Sequence, residues 1–413
     1  MIGTHNLRVL VVDDTIVYRK AVSDILREIP GVEVVGVAHN GVIAMTKIKT
    51  LKPDLLTLDI EMPQMNGIEV LEELNRHHPG IGAIMLSTLT MEGGTLTLRA
   101  LELGAFDFIP KPQAGSVKEG MAEIRKAITP MLQAYKRKSR KILTPVNSTP
   151  GRKTSRSGNA QPDENLNISG ILRGQNNAFE NNSVAFGRNS PRNSPVTSSR
   201  ARSAPVTPSS VCRRDVIRGK SEIVAIGIST GGPNALSQML PQLPGDLGVP
   251  VVIVQHMPPV FTQSLATSLN KKCALTVKEA EEGEDIKPNV IYIAPGGKQM
   301  KLVAGRDGAT RRIKITDDPP ENSCKPSVDY LFRSVADYYV GRTTAVIMTG
   351  MGSDGTAGLA VLKEKAAYII GQNEQSCVVY GMPRTPAEKG YLDKVLPLHK
   401  IADQIVRSVR SPL

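Results

Sequence analysis

The sequence predicts an α/β protein with two doubly wound parallel-sheet domains joined by a disordered linker. Three observations carry this reading. Residues 7–139 alternate strand and helix periodicity five times. Residues 141–218 lose apolar periodicity and fill with Ser, Asn, Pro and Arg. From 221 to the end, β-branched apolar runs again alternate with helical patterns. The predicted boundaries are 1–139, 140–220 and 221–413.

In the first domain the strand-like runs are LRVLVVDD, EVVGVAH, DLLTLDI, GAIMLST and FDFIPKP. Helical patterns near 16–28, 41–51, 67–77, 93–102 and 116–139 separate and follow them. The linker cannot bury enough apolar area to offset its ordering entropy, so it is expected to be a flexible tether. In the last domain the runs EIVAIGIST, VPVVIVQHM and TTAVIMTGMG read as buried parallel strands.

The net charge of +12 raises the question of nucleic acid, and its distribution answers it. Residues 136–220 hold 17 Lys/Arg against 4 Asp/Glu, leaving 34 basic and 35 acidic residues elsewhere. The basicity therefore sits in the aromatic-poor linker, no helix-turn-helix pattern is present, and nucleic acid is not an expected partner. The four cysteines (Cys212, Cys273, Cys324 and Cys377) have no metal-site spacing and read as reduced packing residues. Without a signal-peptide pattern or an apolar run of about 20 residues, a cytoplasmic protein with no membrane insertion is expected.

Strand ends in an open parallel sheet converge on one crevice. In the first domain this gathers Asp13, Asp14, Asp59, Ser87 and Lys111. Clustered carboxylates repel one another unless a hard cation neutralises them, which suits Mg²⁺. A carboxylate beside Mg²⁺ is also a candidate phosphoryl acceptor, with Lys111 and Ser87 positioned to contact the phosphoryl oxygens. The segments VVDD, LDIEMPQMNG, the Ser-Thr after IML, and PKP at 110–112 resemble a response-regulator receiver domain, which is flavodoxin-like. That resemblance implies that Asp59 is phosphorylated by a histidine kinase, that Asp13 and Asp14 hold Mg²⁺ with it, and that Ser87 and Lys111 form the switch. Asn40 and Asn66 stand where the family commonly has Asp. The Lys111–Pro112 bond is expected to be cis.

In the last domain the same convergence delivers Ser229 from GISTGG, His256 from QHM and Asp354 from TGMGSDG. These types could serve as nucleophile, base and orienter of an acyl-enzyme hydrolase. Backbone N–H groups near Gly231, Gly232 and Met351 are candidate oxyanion donors, with Thr230 supporting the same pocket. The order Ser, His, Asp and the lack of a G-x-S-x-G elbow separate this set from α/β-hydrolases. GISTGG also lacks the spacing of GxGxxG and a Walker lysine, which argues against a nucleotide site.

Together, GISTGGPNAL, VQHMPPVFTQSLATSL, YIAPGG, KPSVDYLFRSVA, MTGMGSDGTAGL and VVYGMPRTPAEKG resemble the Rossmann-like catalytic domain of chemotaxis protein-glutamate methylesterases (CheB). The resemblance covers nearly all of 221–409, and the order of the two domains matches it. It implies demethylation of glutamate γ-methyl esters on chemoreceptors and deamidation of glutamines there, under phosphorylation control by a chemotaxis histidine kinase. No cofactor is expected for the ester hydrolysis. The linker is longer than such proteins usually carry.

Overall fold

The computed structural model describes residues 6–112, 117–143 and 218–412. The expectation of disorder for 140–220 falls mostly outside them. Among the described residues, no helix is long and apolar enough to cross a membrane.

The first domain runs β1 (Leu7–Val12), α1 (Ile16–Arg27), β2 (Val32–Ala38), α2 (Gly41–Leu51), β3 (Leu55–Asp59), α3 (Gly67–His77), β4 (Gly82–Ser87), α4 (Met91–Glu102), β5 (Asp107–Pro110) and α5 (Val117–Leu143). Its five strands are all parallel, in the order β2-β1-β3-β4-β5. Alternation along β1 sends Val9 and Val11 to one face, with Ile25, Ile124 and Ile128, and Leu10 and Val12 to the other, with Leu58, Val70 and Leu74. Both faces are therefore sealed by helices, as parallel sheets require. Asn40 and Asn66, which replace the family's common Asp, cap α2 and α3; Asn66 forms a reciprocal capping box with Glu69.

Arg218, just ahead of the second domain's first strand, is tied to that domain: its guanidinium pairs with Asp393 and donates to the carbonyls of Ala366 and Ala367. The chain then forms β6 (Ile223–Ile228), α6 (Gly232–Met239), β7 (Val251–Gln255), α7 (Phe261–Asn270), β8 (Thr276–Glu279), β9 (Val290–Ile293), β10 (Gln299–Ala304), β11 (Arg311–Thr316), α8 (Val328–Tyr338), β12 (Thr343–Ile347), α9 (Thr356–Glu364), β13 (Tyr368–Gln372), α10 (Arg384–Glu388), β14 (Lys394–Leu396) and α11 (Leu398–Arg410). Seven parallel strands are ordered β14-β13-β12-β6-β7-β9-β8. The chain leaves β6 for β7 on one side and returns to β12 on the other. This reversal opens a crevice at the carboxyl ends of β6 and its neighbours, where side chains can converge on a ligand. An antiparallel ribbon, β10–β11, turns at GRDG beside this sheet and was not expected from the sequence.

The two domains pack through α4, which lies on α6 and α7. Phe108 of β5 meets Phe261 of α7 with ring centroids 4.6 Å apart. Gly94 lets α4 approach closely, since a Cβ there would stand 2.8 Å from Ser264 Oγ. At the periphery Glu102 accepts from Lys272 Nζ at 2.6 Å and from Ser268 at 3.2 Å.

Candidate active site

The loops leaving β1, β3 and β5 bring Asp13, Asp14, Asp59 and Lys111 together, as the sequence predicts. Register fixes this: Val12 lies beside Leu58 and Leu58 beside Met85, so these strands end in line. Lys111 Nζ donates to Asp59 Oδ2 at 2.7 Å and pairs with Asp13 Oδ2 at 3.0 Å. Burial pushes the Asp59 carboxyl up to about 6, aided by Asp13 and Asp14 and opposed by Lys111. Asp13 is raised as well, chiefly by burial. An oxygen from each aspartate lies within 4.8 Å of the others, and Asp13 Oδ2 has no hydrogen-bond donor aligned on it. Three hard oxygen donors, two of them held at a cost in charge, fit a divalent cation such as Mg²⁺.

Ser87 does not face this pocket. Its hydroxyl accepts from Thr97 Oγ1 of α4 at 2.6 Å and stands 3.3 Å from the Gly93 carbonyl, while Thr88 lines the pocket with Asp14, Thr15, Tyr18 and Glu61. The expected cis bond is also absent: Lys111–Pro112 is trans, and the cis X-Pro bond among the described residues is Lys325–Pro326. The trans form is the intrinsic preference by about 0.5–1 kcal/mol. Here the loop reaches Ser87 through Lys111 N and Tyr18 through the Pro112 carbonyl without departing from it.

In the second domain Ser229, His256 and Asp354 all lie at the switch-point crevice. Ser229 follows β6 in a turn held at three points. Its amide donates to the Thr349 carbonyl at 3.0 Å; its carbonyl accepts from Gly232 N at 2.7 Å and from Gln255 Nε2 at 3.0 Å. Gly231 has φ 74°, and a Cβ there would meet Val378 at 2.5 Å, so the turn needs glycine twice over. Because Gly232 N serves the turn, it is not a free oxyanion donor, contrary to expectation. The amides of Thr230, Gly231 and Met351 donate to no acceptor among the described residues. Thr230 and Met351 line the crevice with Ser229, whereas Gly231 faces a separate cavity with Asn234, Gln238 and His399.

His256 Nε2 is 2.7 Å from Asp354 Oδ2. The ring therefore shows Nδ1, not Nε2, to the open side of the crevice. No hydrogen bond joins Ser229 Oγ to His256 among the described residues, although both line the same cavity. Burial lowers the imidazolium's stability, but Asp354 and the neighbouring Cys324 outweigh it and push the His256 pKa up to about 9. Burial likewise raises the Asp354 carboxyl, and the His256 hydrogen bond and charge, the Val328 amide and Asn322 overcome it, holding it well below the usual carboxylate range.

The rest of the Asp354 shell escaped the sequence reading. Its Oδ1 accepts from Ser327 Oγ at 2.9 Å, Asn322 Nδ2 at 3.0 Å and Asp329 N at 3.2 Å, and its Oδ2 accepts from Val328 N at 2.7 Å. The amino end of α8 thus points its unpaired amides at a carboxylate, as helix termini favour. Asp354 does not cap α9; Gly355 holds that position. The signal available was Ser-x-x-x at 327–330, an N-cap whose helix had no assigned target.

Cys324 is not a core packing residue. It lines the crevice and places Sγ 3.7 Å from His256 Nδ1. The opposite wall of the cavity, about 480 Å³, comes from the first domain: Asp107, Phe108, Pro110, Ala127, Pro130 and Met131. Buried Asp107, whose carboxyl burial pushes up to about 6, hydrogen-bonds the Thr230 side chain, next to Ser229.

The CheB methylesterase family profile matches residues 224–405, and the response regulator receiver domain profile matches 9–122. A protein-glutamate methylesterase/protein-glutamine glutaminase of Desulfotalea psychrophila is 55% identical over 405 residues, 98% of this chain and 99% of that one. The protein of the same description from Trichodesmium erythraeum is 37% identical, over 97% and 99%. The crystal structure of the Thermotoga maritima CheB methylesterase catalytic domain is 43% identical, covering 45% of this chain and 97% of that one, with a TM-score of 0.44. Similarity that runs the full length of curated relatives and includes both domains means that the chain belongs to the CheB family of receiver-linked protein-glutamate methylesterases/protein-glutamine glutaminases.

Proposed function

We propose that this hydrolase cleaves glutamate γ-methyl esters on chemoreceptors, and deamidates receptor glutamines, through Ser229, under control of phosphorylation at Asp59. His256 Nδ1 takes the Ser229 proton as Oγ attacks the ester carbonyl, and Asp354 holds Nε2–H so that Nδ1 is the basic nitrogen. The Thr230 and Met351 amides stabilise the oxyanion, with Gly231 shaping the turn between them. Methanol leaves with the proton from His256; water then repeats the sequence on the glutamyl-enzyme. An amide carbonyl presents the same geometry and releases ammonia.

In the receiver, Asp13, Asp14 and Asp59 would hold Mg²⁺, which neutralises the charge brought by a phosphoryl group. Asp59 accepts that group from a histidine kinase, and Lys111 pairs with its oxygens. Drawing Ser87 toward the phosphoryl group breaks its bond to Thr97, and so loosens the helix that packs on the esterase. Such control is carried by one observation: Asp107, Phe108, Pro110, Ala127, Pro130 and Met131 of the receiver wall the cavity that holds Ser229 and His256.

The test is methanol release from methylated receptor fragments with and without a small phosphodonor. Stimulation is expected in the wild type and absent in Asp59→Asn. Equal stimulation of both proteins refutes control through Asp59.

A further inference from the structure

Beyond the proton relay, the crevice contains a second arrangement of the same histidine. Asp354 takes the Nε2 side of His256, and Cys324 Sγ stands on the Nδ1 side at 3.7 Å. A carboxylate holding one ring nitrogen while the other faces outward is the outer-shell pattern found behind metal-ligating histidines. The Nδ1–Sγ distance is also suited to a metal. With Zn–S near ~2.3 Å, Zn–N near ~2.05 Å and tetrahedral angles, the two ligand atoms stand about 3.6 Å apart. The ligand-type atoms of His256, Cys324 and Asp354 all lie within 4.8 Å of one another. Cys324 is half-buried on the wall of an open cavity, so a hydrated cation can reach it.

We propose that Cys324 Sγ and His256 Nδ1 form a site for a thiophilic divalent cation of the Zn²⁺ class, with Asp354 as its outer-shell carboxylate. The cation takes the thiol proton's place on Cys324 and the lone pair of Nδ1, and water fills its remaining positions. Thiolate and imidazole together select Zn²⁺ or Cd²⁺ over Mg²⁺, which prefers oxygen. That selectivity separates this site from the aspartate pocket of the receiver. Occupation removes the nitrogen that must accept the Ser229 proton, so the bound cation is a reversible inhibitor of the esterase. The inhibitory part rests on the role given to His256 above; binding does not.

The experiment uses the full-length protein with excess Mg²⁺ to keep the receiver aspartates occupied. Cd²⁺ is titrated while the ultraviolet thiolate-to-cadmium charge-transfer band is recorded, and Zn²⁺ is titrated against methanol release, with reversal by EDTA. The band is expected in the wild type and in Cys273→Ser, and is expected to be lost in Cys324→Ser. His256→Gln keeps the thiol but removes a ligand, and should weaken the Cd²⁺ titration by at least the roughly tenfold that loss of a group merely supporting a ligand costs. Zn²⁺ inhibition, read as a ratio within each variant, should weaken by the same order in Cys324→Ser. A band and an inhibition constant unchanged in Cys324→Ser overturn the proposal, as does a wild type with no band. A band at Cys324 without Zn²⁺ inhibition overturns the inhibitory role and counts against His256 Nδ1 as the base.

Discussion

Replacing Asp354 by Asn sets two effects against each other, one on the ionisation of His256 and one on its tautomer. With its pKa at about 9, His256 is neutral in roughly one molecule in a hundred at pH 7. Asp354 supplies the leading hydrogen bond and part of the charge that raise it, so Asp354→Asn lets the imidazole lose its proton near neutrality. Ionisation alone would therefore speed the variant about a hundredfold at pH 7. Against this, every Asp354 oxygen contact in the structure is with a donor: His256, Ser327, Asn322 and the Val328 and Asp329 amides. An Asn side chain must turn its NH₂ toward one of these groups. Turned toward His256, it puts the ring proton on Nδ1, where it blocks transfer from Ser229. A wrong tautomer in an equivalent serine-hydrolase triad costs about 10⁴-fold. The net expectation is a loss of about 10² at pH 7 that grows toward about 10⁴ above pH 9.5, where most of the wild type is neutral. The assay is kcat/KM for methanol release from a methylated receptor fragment across pH 6–10, with a thermal melt to confirm folding. A wild-type to variant ratio that does not change with pH would refute the reasoning, as would a variant faster than wild type at pH 7.

The Ser229→Ala variant should lose about 10³-fold or more in both methanol and ammonia release, and ammonia release that survives would require a second amidase site. Glu102→Lys replaces an interdomain ion pair with a like-charge contact at Lys272; because both partners are more than one-third exposed, the cost to the closed form is about 1 kcal/mol, and unphosphorylated activity should rise about fivefold. Unchanged basal activity in that variant would mean that the α4–α7 contact does not restrain the enzyme. His256 contributes stability through a pKa raised above its unfolded value of about 6.5; that contribution is complete below pH 6.5 and is lost as pH rises through about 9. The stability gap between wild type and His256→Gln in urea denaturation should accordingly shrink from pH 6.5 to 9.5, by at most about 3 kcal/mol; a gap that widens would contradict the sign.

Most of the fold was legible because parallel strands buried on both faces leave long apolar runs, and the first four helices of the first domain each fall between two of them, with α5 after the last. The order of residues at strand ends then located Asp13, Asp59, Lys111, Ser229, His256 and Asp354 without any tertiary information. What escaped depends on contacts distant in sequence. Cys324 reaches His256, 68 residues away, through a loop in which Asn322 and Ser323 both adopt left-handed backbone (φ 51° and 62°). No periodicity reports such a turn in non-glycine residues. Gln255 was hidden because it belongs to a strand; yet its side chain, not its backbone, holds the Ser229 turn. The β10–β11 ribbon did carry a signal, Asp-Gly between alternating apolar residues, which marks a hairpin even inside an otherwise parallel domain. Ser87 was correctly placed at a strand end, but strand ends set Cα positions and not rotamers, so its bond to Thr97 was invisible.

That Ser87–Thr97 bond, 2.6 Å long and buried, has a consequence for the phosphorylated state itself. If a phosphoryl group on Asp59 draws Ser87 away and frees α4 from the esterase, then thermodynamic reciprocity requires the esterase to resist phosphorylation by the same free energy. On the same premise, a receptor helix seated in the crevice would displace the receiver wall, and with it that resistance. Substrate should therefore make the receiver easier to phosphorylate and its phosphoryl group slower to leave. The enzyme would then hold its activated state longest while there is still ester to remove, and return to rest as the supply runs out.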